Sequence, residues 1–345
     1  MKNNLYKKMI AVGMSIAFIP FFQLYSSSAT DSETTNIQLE YSYIEQILPK
    51  YLKAHDVANA DIYISNSFDV YNNDIKMASD ADTYVVFEED DVIGLLSVNY
   101  IDGTFHSSFE FGEFEDIQNY YDCEKEVAFI SSNEKMSVEP STKKSSIERE
   151  DISVDFSSIE KDRRIPCSVQ RGTTSHYYRK NISVPIVPNA ISPAGQGLCW
   201  AASIASKYDY LTGNNLVAID IYNALDELYD GTPIGIALWE ARAFSHLNMS
   251  YTHLTRMLDC SEILPNIQAN NPIYIGVSRS GGAHALLLCG ITFYTDGTGL
   301  YRVMDPNRTV YVDIAVSEDT MNGDDQLTYV TTYGYTYTSW YDSWY

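Results

Sequence analysis

The chain is poor in cysteine and in basic charge, and both shortages narrow what it can do. Five cysteines, at positions 123, 167, 199, 260 and 289, serve 345 residues. Their number is odd, so at least one is unpaired within the chain. None forms a C-x-x-C pair, which argues against a zinc ribbon and makes a disulfide scaffold a poor reading. Lys and Arg total 23 against 46 Asp and Glu, a formal net charge of −23. Such a chain is repelled by nucleic acid and by anionic membrane surfaces, and no basic patch or phosphate-binding glycine loop offsets that. No apolar run reaches the ~20 residues that a membrane-crossing helix needs. Nothing in the residues calls for a metal or a cofactor.

At the N-terminus, Lys2, Lys7 and Lys8 precede the apolar run Met9 to Phe22 and the small residues Ser26-Ser27-Ser28-Ala29. That is the order of a signal peptide over residues 1–29, with cleavage expected just after Ala29, a secreted product and no remaining membrane anchor. The remainder is long enough for two domains. Acidity is concentrated in the first, with 30 acidic and 11 basic residues from Thr30 to Ile165 against 16 and 9 from Pro166 to Tyr345.

Residues 30–131 read as a small α+β domain. Leu39, Ile44, Ile47, Leu48 and Leu52 fall at helical spacing, and strands are expected at 83–87, 92–98 and 106–111. Residues 132–164 are rich in Ser, Lys and Glu and read as a linker that closes on the basic cluster Lys161-Asp162-Arg163-Arg164, a natural nicking site. Residues 165–345 begin helical, with helices expected at 199–211, 217–228, 234–247 and 261–269. They then turn to strands at 272–277, 283–291, 299–304, 309–314 and 327–333. Helices followed by antiparallel strands describe an α+β fold. The aromatic tail, 333–345, is expected to be an edge strand.

One constellation carries chemistry. Cys199 opens a buried helix, where the positive end of the helix dipole favours a thiolate and free N–H groups await an oxyanion. His284 follows the turn Ser278-Arg279-Ser280-Gly281-Gly282 and begins an apolar strand, a suitable place for the base a thiol needs. Asp305 ends the next strand, and antiparallel neighbours would bring it to the same sheet edge to orient the imidazole; Asn307 is the alternative. His55, His106, His176, His246 and His253 sit in settings that read as structural or solvated, and Cys289 as a buried apolar residue.

The order Cys199, His284, Asp305, the segment Leu198-Cys199-Trp200-Ala201-Ala202, Gly282-Ala283-His284-Ala285 and Asp305-Pro306 together resemble compact papain-like cysteine peptidases, including secreted bacterial and leader-peptide-processing members. The resemblance implies a helical lobe and an antiparallel-sheet lobe with the site between them, a protein or peptide substrate, and residues 30–131 as a prodomain that inhibits the cleft until the basic region is cut. The family's oxyanion-hole glutamine usually lies six positions before the cysteine. Pro193 is there, and Gln196 is the candidate for that role. Cell-wall amidases or endopeptidases and transglutaminases use the same residue types, and a non-catalytic wall-binding module is the remaining alternative.

Overall fold

The computed structural model describes residues 29–345 apart from 58–60, 74–76, 113, 122–125, 133–134, 141–152, 156–163 and 166–175. The signal peptide, save Ala29, lies outside the described residues, as do Cys123, Cys167 and the first three residues of the basic cluster. No described helix is long and apolar enough to cross a membrane.

Helix α1 (Ala29–Ala54) buries Ile44, Ile47, Leu48, Tyr51 and Leu52 along one face, as their three-to-four spacing demands. Next come β1 (Ile62–Ile64), β2 (Tyr71–Asn72), β3 (Met77–Ala78), β4 (Asp82–Glu88), β5 (Asp91–Ile101), β6 (Thr104–Phe111) and α2 (Glu115–Tyr121). They are followed by β7 (Glu126–Ser132), β8 (Lys135–Pro140), β9 (Ser153–Asp155) and β10 (Arg164–Ile165).

The linker reading of 132–164 needs correction. β8 and β9 both pair with β7 in a five-stranded sheet, and β10 pairs with β1. Met136 and Val138 pack on the cluster around Phe129, while the residues between them are polar. Such one-sided alternation buries a strand with only a few apolar side chains.

The second half holds β11 (His176–Asn181), α3 (Cys199–Thr212), α4 (Ala218–Leu228), α5 (Ala237–His246), β12 (His253–Leu254) and α6 (Cys260–Gln268). The strands β13 (Ile273–Arg279), β14 (Gly282–Tyr294), β15 (Gly299–Asp305) and β16 (Val310–Val316) form its sheet. Short α7 (Glu318–Asn322), β17 (Tyr329–Val330), β18 (Thr336–Tyr337) and β19 (Ser339–Trp344) complete the chain. Among the described residues, seven helices beside largely antiparallel sheets make an α+β fold.

The halves are joined edge to edge. β6 pairs antiparallel with β16, so one twelve-stranded sheet runs β10-β1-β4-β5-β6-β16-β15-β14-β13-β19-β12, with β11 also on β14. Buried polar groups stitch this seam. Arg308 donates to both carboxylate oxygens of Glu110, at 2.9 to 3.1 Å, and Thr332 donates to the same carboxylate. His55 at the end of α1 reaches Asp313 at 2.7 Å, where Arg302 donates two more bonds. Removing one member of such a buried pair typically costs about 3 to 5 kcal/mol. The aromatic tail also departs from expectation. β19 lies between β13 and β12 rather than at the edge, because Trp340 and Trp344 are fully buried, Trp344 stacking on Phe244 and His253.

Candidate active site

Cys199 is the first residue of α3 and is half-buried. The residue before it, Leu198, has no side chain able to cap the helix, and the first-turn N–H groups are not spent on a cap. Trp200, Ala201, Ala202, Ile204 and Ala205 are buried, and small alanines let the helix lie close on the sheet, where Ser203 donates to Ala285 O at 3.1 Å.

His284 lies near the start of β14, opposite Val277 of β13. On its other side Leu287 faces Met304 of β15, and continuing that register sets Asp305 against Leu286. His284 is two residues farther along and therefore on the same face, within diagonal reach. The contact follows: His284 Nε2 donates to Asp305 Oδ1 at 2.9 Å, with both side chains fully buried. The imidazole and the Cys199 thiol line the same cleft, and the thiol adds to the forces that favour the charged imidazole. Asn307 does not replace Asp305. Its backbone N–H donates to Asp305 Oδ1 at 2.8 Å, and its side-chain Nδ2 is 3.5 Å from His284 Nδ1.

Two tyrosines, Tyr329 and Tyr333, donate to the other oxygen of Asp305 at 2.7 and 3.2 Å. Burial works against charge on Asp305, but the charge of His284 and these hydrogen bonds outweigh it and hold the carboxyl below its ordinary range. Burial likewise opposes the imidazolium, but the Asp305 charge, its hydrogen bond and Cys199 raise His284 well above its ordinary value. The imidazole is therefore held protonated. Tyr337 lies over it at 5.6 Å and helps to exclude water from the pair.

Cys199 and His284 open into a cleft of about 140 Å³ lined also by Gly197, Trp200, Gly235, Glu240, Tyr274, Ala283, Ala285 and Tyr341. Gln196 is not in it. Ser192 and Gln196 bond each other through Ser192 N–H to Gln196 O at 2.8 Å and Gln196 N–H to Ser192 Oγ at 3.1 Å. This turn leaves the Gln196 side chain in solvent and presents Gly197 to the cleft instead. Among the described residues, every one lining the cleft comes from the second half, because the first half is committed to the β16 edge.

A cysteine at a helix start, sharing a cleft with a histidine whose charged form a buried carboxylate favours, suits thiol-dependent acyl transfer. Residues 180–323 match the family described as papain-like cysteine protease AvrRpt2. Over these residues the chain is similar to papain-like cysteine peptidases. No curated protein matches it.

The other cysteine of the second-half sheet illustrates the contrast. Burial pushes the Cys289 thiol up to about 12, and its Sγ donates to Arg302 O at 3.4 Å inside the sheet. The remaining histidines lie elsewhere: His55 and His253 meet Asp313 and Asp342, His246 is exposed, and burial lowers His106. Among the described residues no group of three or more His, Cys, Asp or Glu could hold a metal ion.

Sequence reasoning missed Tyr329, Tyr333 and Glu240. The tyrosines lie in Leu327-Thr328-Tyr329-Val330-Thr331-Thr332-Tyr333, which reads only as a strand. Glu240 had a visible signal, since it shares a helix face with the buried Ala243 and Phe244.

Proposed function

We propose that the protein is an exported cysteine peptidase, made as a precursor, in which Cys199 is the nucleophile, His284 the general acid and base, and Asp305 the residue that orients His284. The observation that carries this reading is the meeting of Cys199, at the start of α3, with a buried, Asp305-held imidazole in the lining of one open cleft.

In the first step the thiolate attacks the scissile carbonyl carbon, forming the C–S bond and an oxyanion. First-turn N–H groups at the uncapped start of α3 are the donors nearest to hand for that charge. His284 then gives its proton to the leaving nitrogen, the C–N bond breaks and the amine departs. Water attacks the thioester, His284 takes its proton, and the C–S bond breaks to release the acid and restore the thiol. Through both steps Asp305 keeps one ring nitrogen bonded, so the other always faces the sulfur.

Export rests on the basic and apolar order of residues 1–29. Processing rests on the basic cluster that ends at Arg164. Because β10 begins at that arginine and pairs with β1, and because β6 pairs with β16, a cut in the cluster would leave the halves docked. The first half therefore acts as a brace for the sheet that carries Asp305.

The test is incubation of purified full-length chain beside Cys199→Ala, following its size on a gel and its hydrolysis of a mixed peptide pool. Hydrolysis should vanish in the variant while its melting temperature stays near that of the parent. Equal hydrolysis by both would remove Cys199 from the mechanism.

A further inference from the structure

The floor of the cleft holds a carboxyl that the acyl-transfer steps do not use. Glu240, on α5, lines the cleft and is 2% exposed. Its Oε1 accepts the Tyr274 hydroxyl at 2.5 Å, and its Oε2 has no hydrogen-bond donor. The carboxyl of Asp342 lies within hydrogen-bonding reach of it, and Asp342 is already engaged, to His253 Nε2 at 2.5 Å and Trp344 Nε1 at 2.8 Å. Burial and the Asp342 carboxyl push Glu240 up to about 8.

A buried acceptor without a donor is rare in folded proteins and calls for a reason. The Asp342 carboxyl beside it raises the cost of charging Glu240 further. Their position supplies the reason, because Glu240 lines the same cleft as Cys199 and His284, where a substrate side chain enters. The walls above it suit a long aliphatic stem. Tyr341, 38% exposed, lies so close on β13 that a Cβ at Gly276 would sit 2.9 Å from its Cζ. Trp200 lies against Gly235, where a Cβ would be 3.1 Å from its Cδ1. Two aromatic walls leading to an acidic floor match a side chain that is apolar along its length and cationic at its tip.

We infer that Glu240 is the base of a specificity subsite that receives a lysine or arginine side chain of the peptide substrate, close to the bond cleaved by Cys199. Glu240 is a specificity residue here, since it touches the substrate side chain and not the reacting carbonyl. Asp342 holds its carboxyl in place from beneath. The inference rests on the peptidase reading, and its test separates the two.

The experiment uses the full-length protein and fluorogenic peptides that differ only at one position, carrying lysine, arginine or the neutral norleucine, scanned over four positions before the cleaved bond. The readout is the ratio of kcat/KM for the basic and the neutral peptide within each variant, which cancels any loss of folded enzyme. A charge-assisted hydrogen bond is worth about 10- to 100-fold, so the wild-type ratio should reach that range at one position. In Glu240→Gln the ratio should fall to near one. A wild-type protein with no preference for lysine or arginine at any position overturns the inference without use of a variant, and so does a preference that survives in Glu240→Gln. If no peptide is cleaved in a Cys199-dependent way, the peptidase reading of the site fails, and the subsite falls with it.

Discussion

Two of the histidine–carboxylate pairs on this sheet stand in different surroundings. At the cleft, His284 meets Asp305 of β15 at 2.9 Å; at the seam, His55 meets Asp313 of β16 at 2.7 Å. The pairs are alike in distance, the cleft pair is the more deeply buried, and they differ in the third partner. His284 has the Cys199 thiol and an open cleft, whereas Arg302 closes off Asp313 with two hydrogen bonds. A histidine–carboxylate pair thus becomes an acid–base device only where a nucleophile and substrate space complete it. Where an arginine completes it, the pair fastens two parts of a sheet.

The sharpest way to break that comparison is to remove one carboxylate from each region. Asp305→Ala should lower kcat by roughly 100-fold or more, the scale of a lost acid–base alignment. Peptide hydrolysis under saturating substrate measures it, and a change of only a few-fold would make the cleft pair as structural as the seam pair. At the seam, Arg308→Ala leaves Glu110 buried and unpaired and should cost about 3 to 5 kcal/mol of stability, read from urea unfolding. A loss within the range of surface substitutions would show that the first half is not fastened there.

A smaller effect concerns pH. His284 is raised above 6.5, so its stabilising contribution is present below that value and is lost as pH rises through the folded pKa. Asp305 is lowered below 3.8, so its contribution is present above that value and is lost as pH falls through the folded pKa. The stability difference between wild type and Asp305→Ala should therefore be largest between pH 3.8 and 6.5, and should shrink on either side. Urea midpoints across pH give this difference directly, and a flat profile would contradict the charged pair. The smallest effect is expected at Gln196. Its side chain is in solvent, so Gln196→Ala should change kcat/KM by no more than about twofold. A loss near the 100- to 1000-fold typical of an oxyanion donor would place it back in the site.

Much of this arrangement was legible before any coordinates. Helical spacing in Cys199 to Leu211 and strand patterns on either side of Gly281-Gly282 and Asp305 depend on local apolar periodicity, which a sequence displays directly. The order of cysteine, histidine and aspartate along those elements then fixes which strand ends meet, since antiparallel neighbours have only one way to align their ends. The residues 132–164 were misread because a strand buried on one face by Met136 and Val138 carries too few apolar positions to stand out among Ser, Lys and Glu.

What the sequence by itself determined was therefore the helix that opens on Cys199, the strand that opens on His284, and the acid at the end of the next strand. Only the tertiary structure decided the rest. The docking of β6 on β16, the tyrosines that converge on Asp305 and the setting of Glu240 beside Tyr274 and Asp342 all depend on residues tens to hundreds of positions apart. Such contacts leave no local period, because what selects them is the shape and the unsatisfied hydrogen bonds of surfaces that exist only once the sheet has closed.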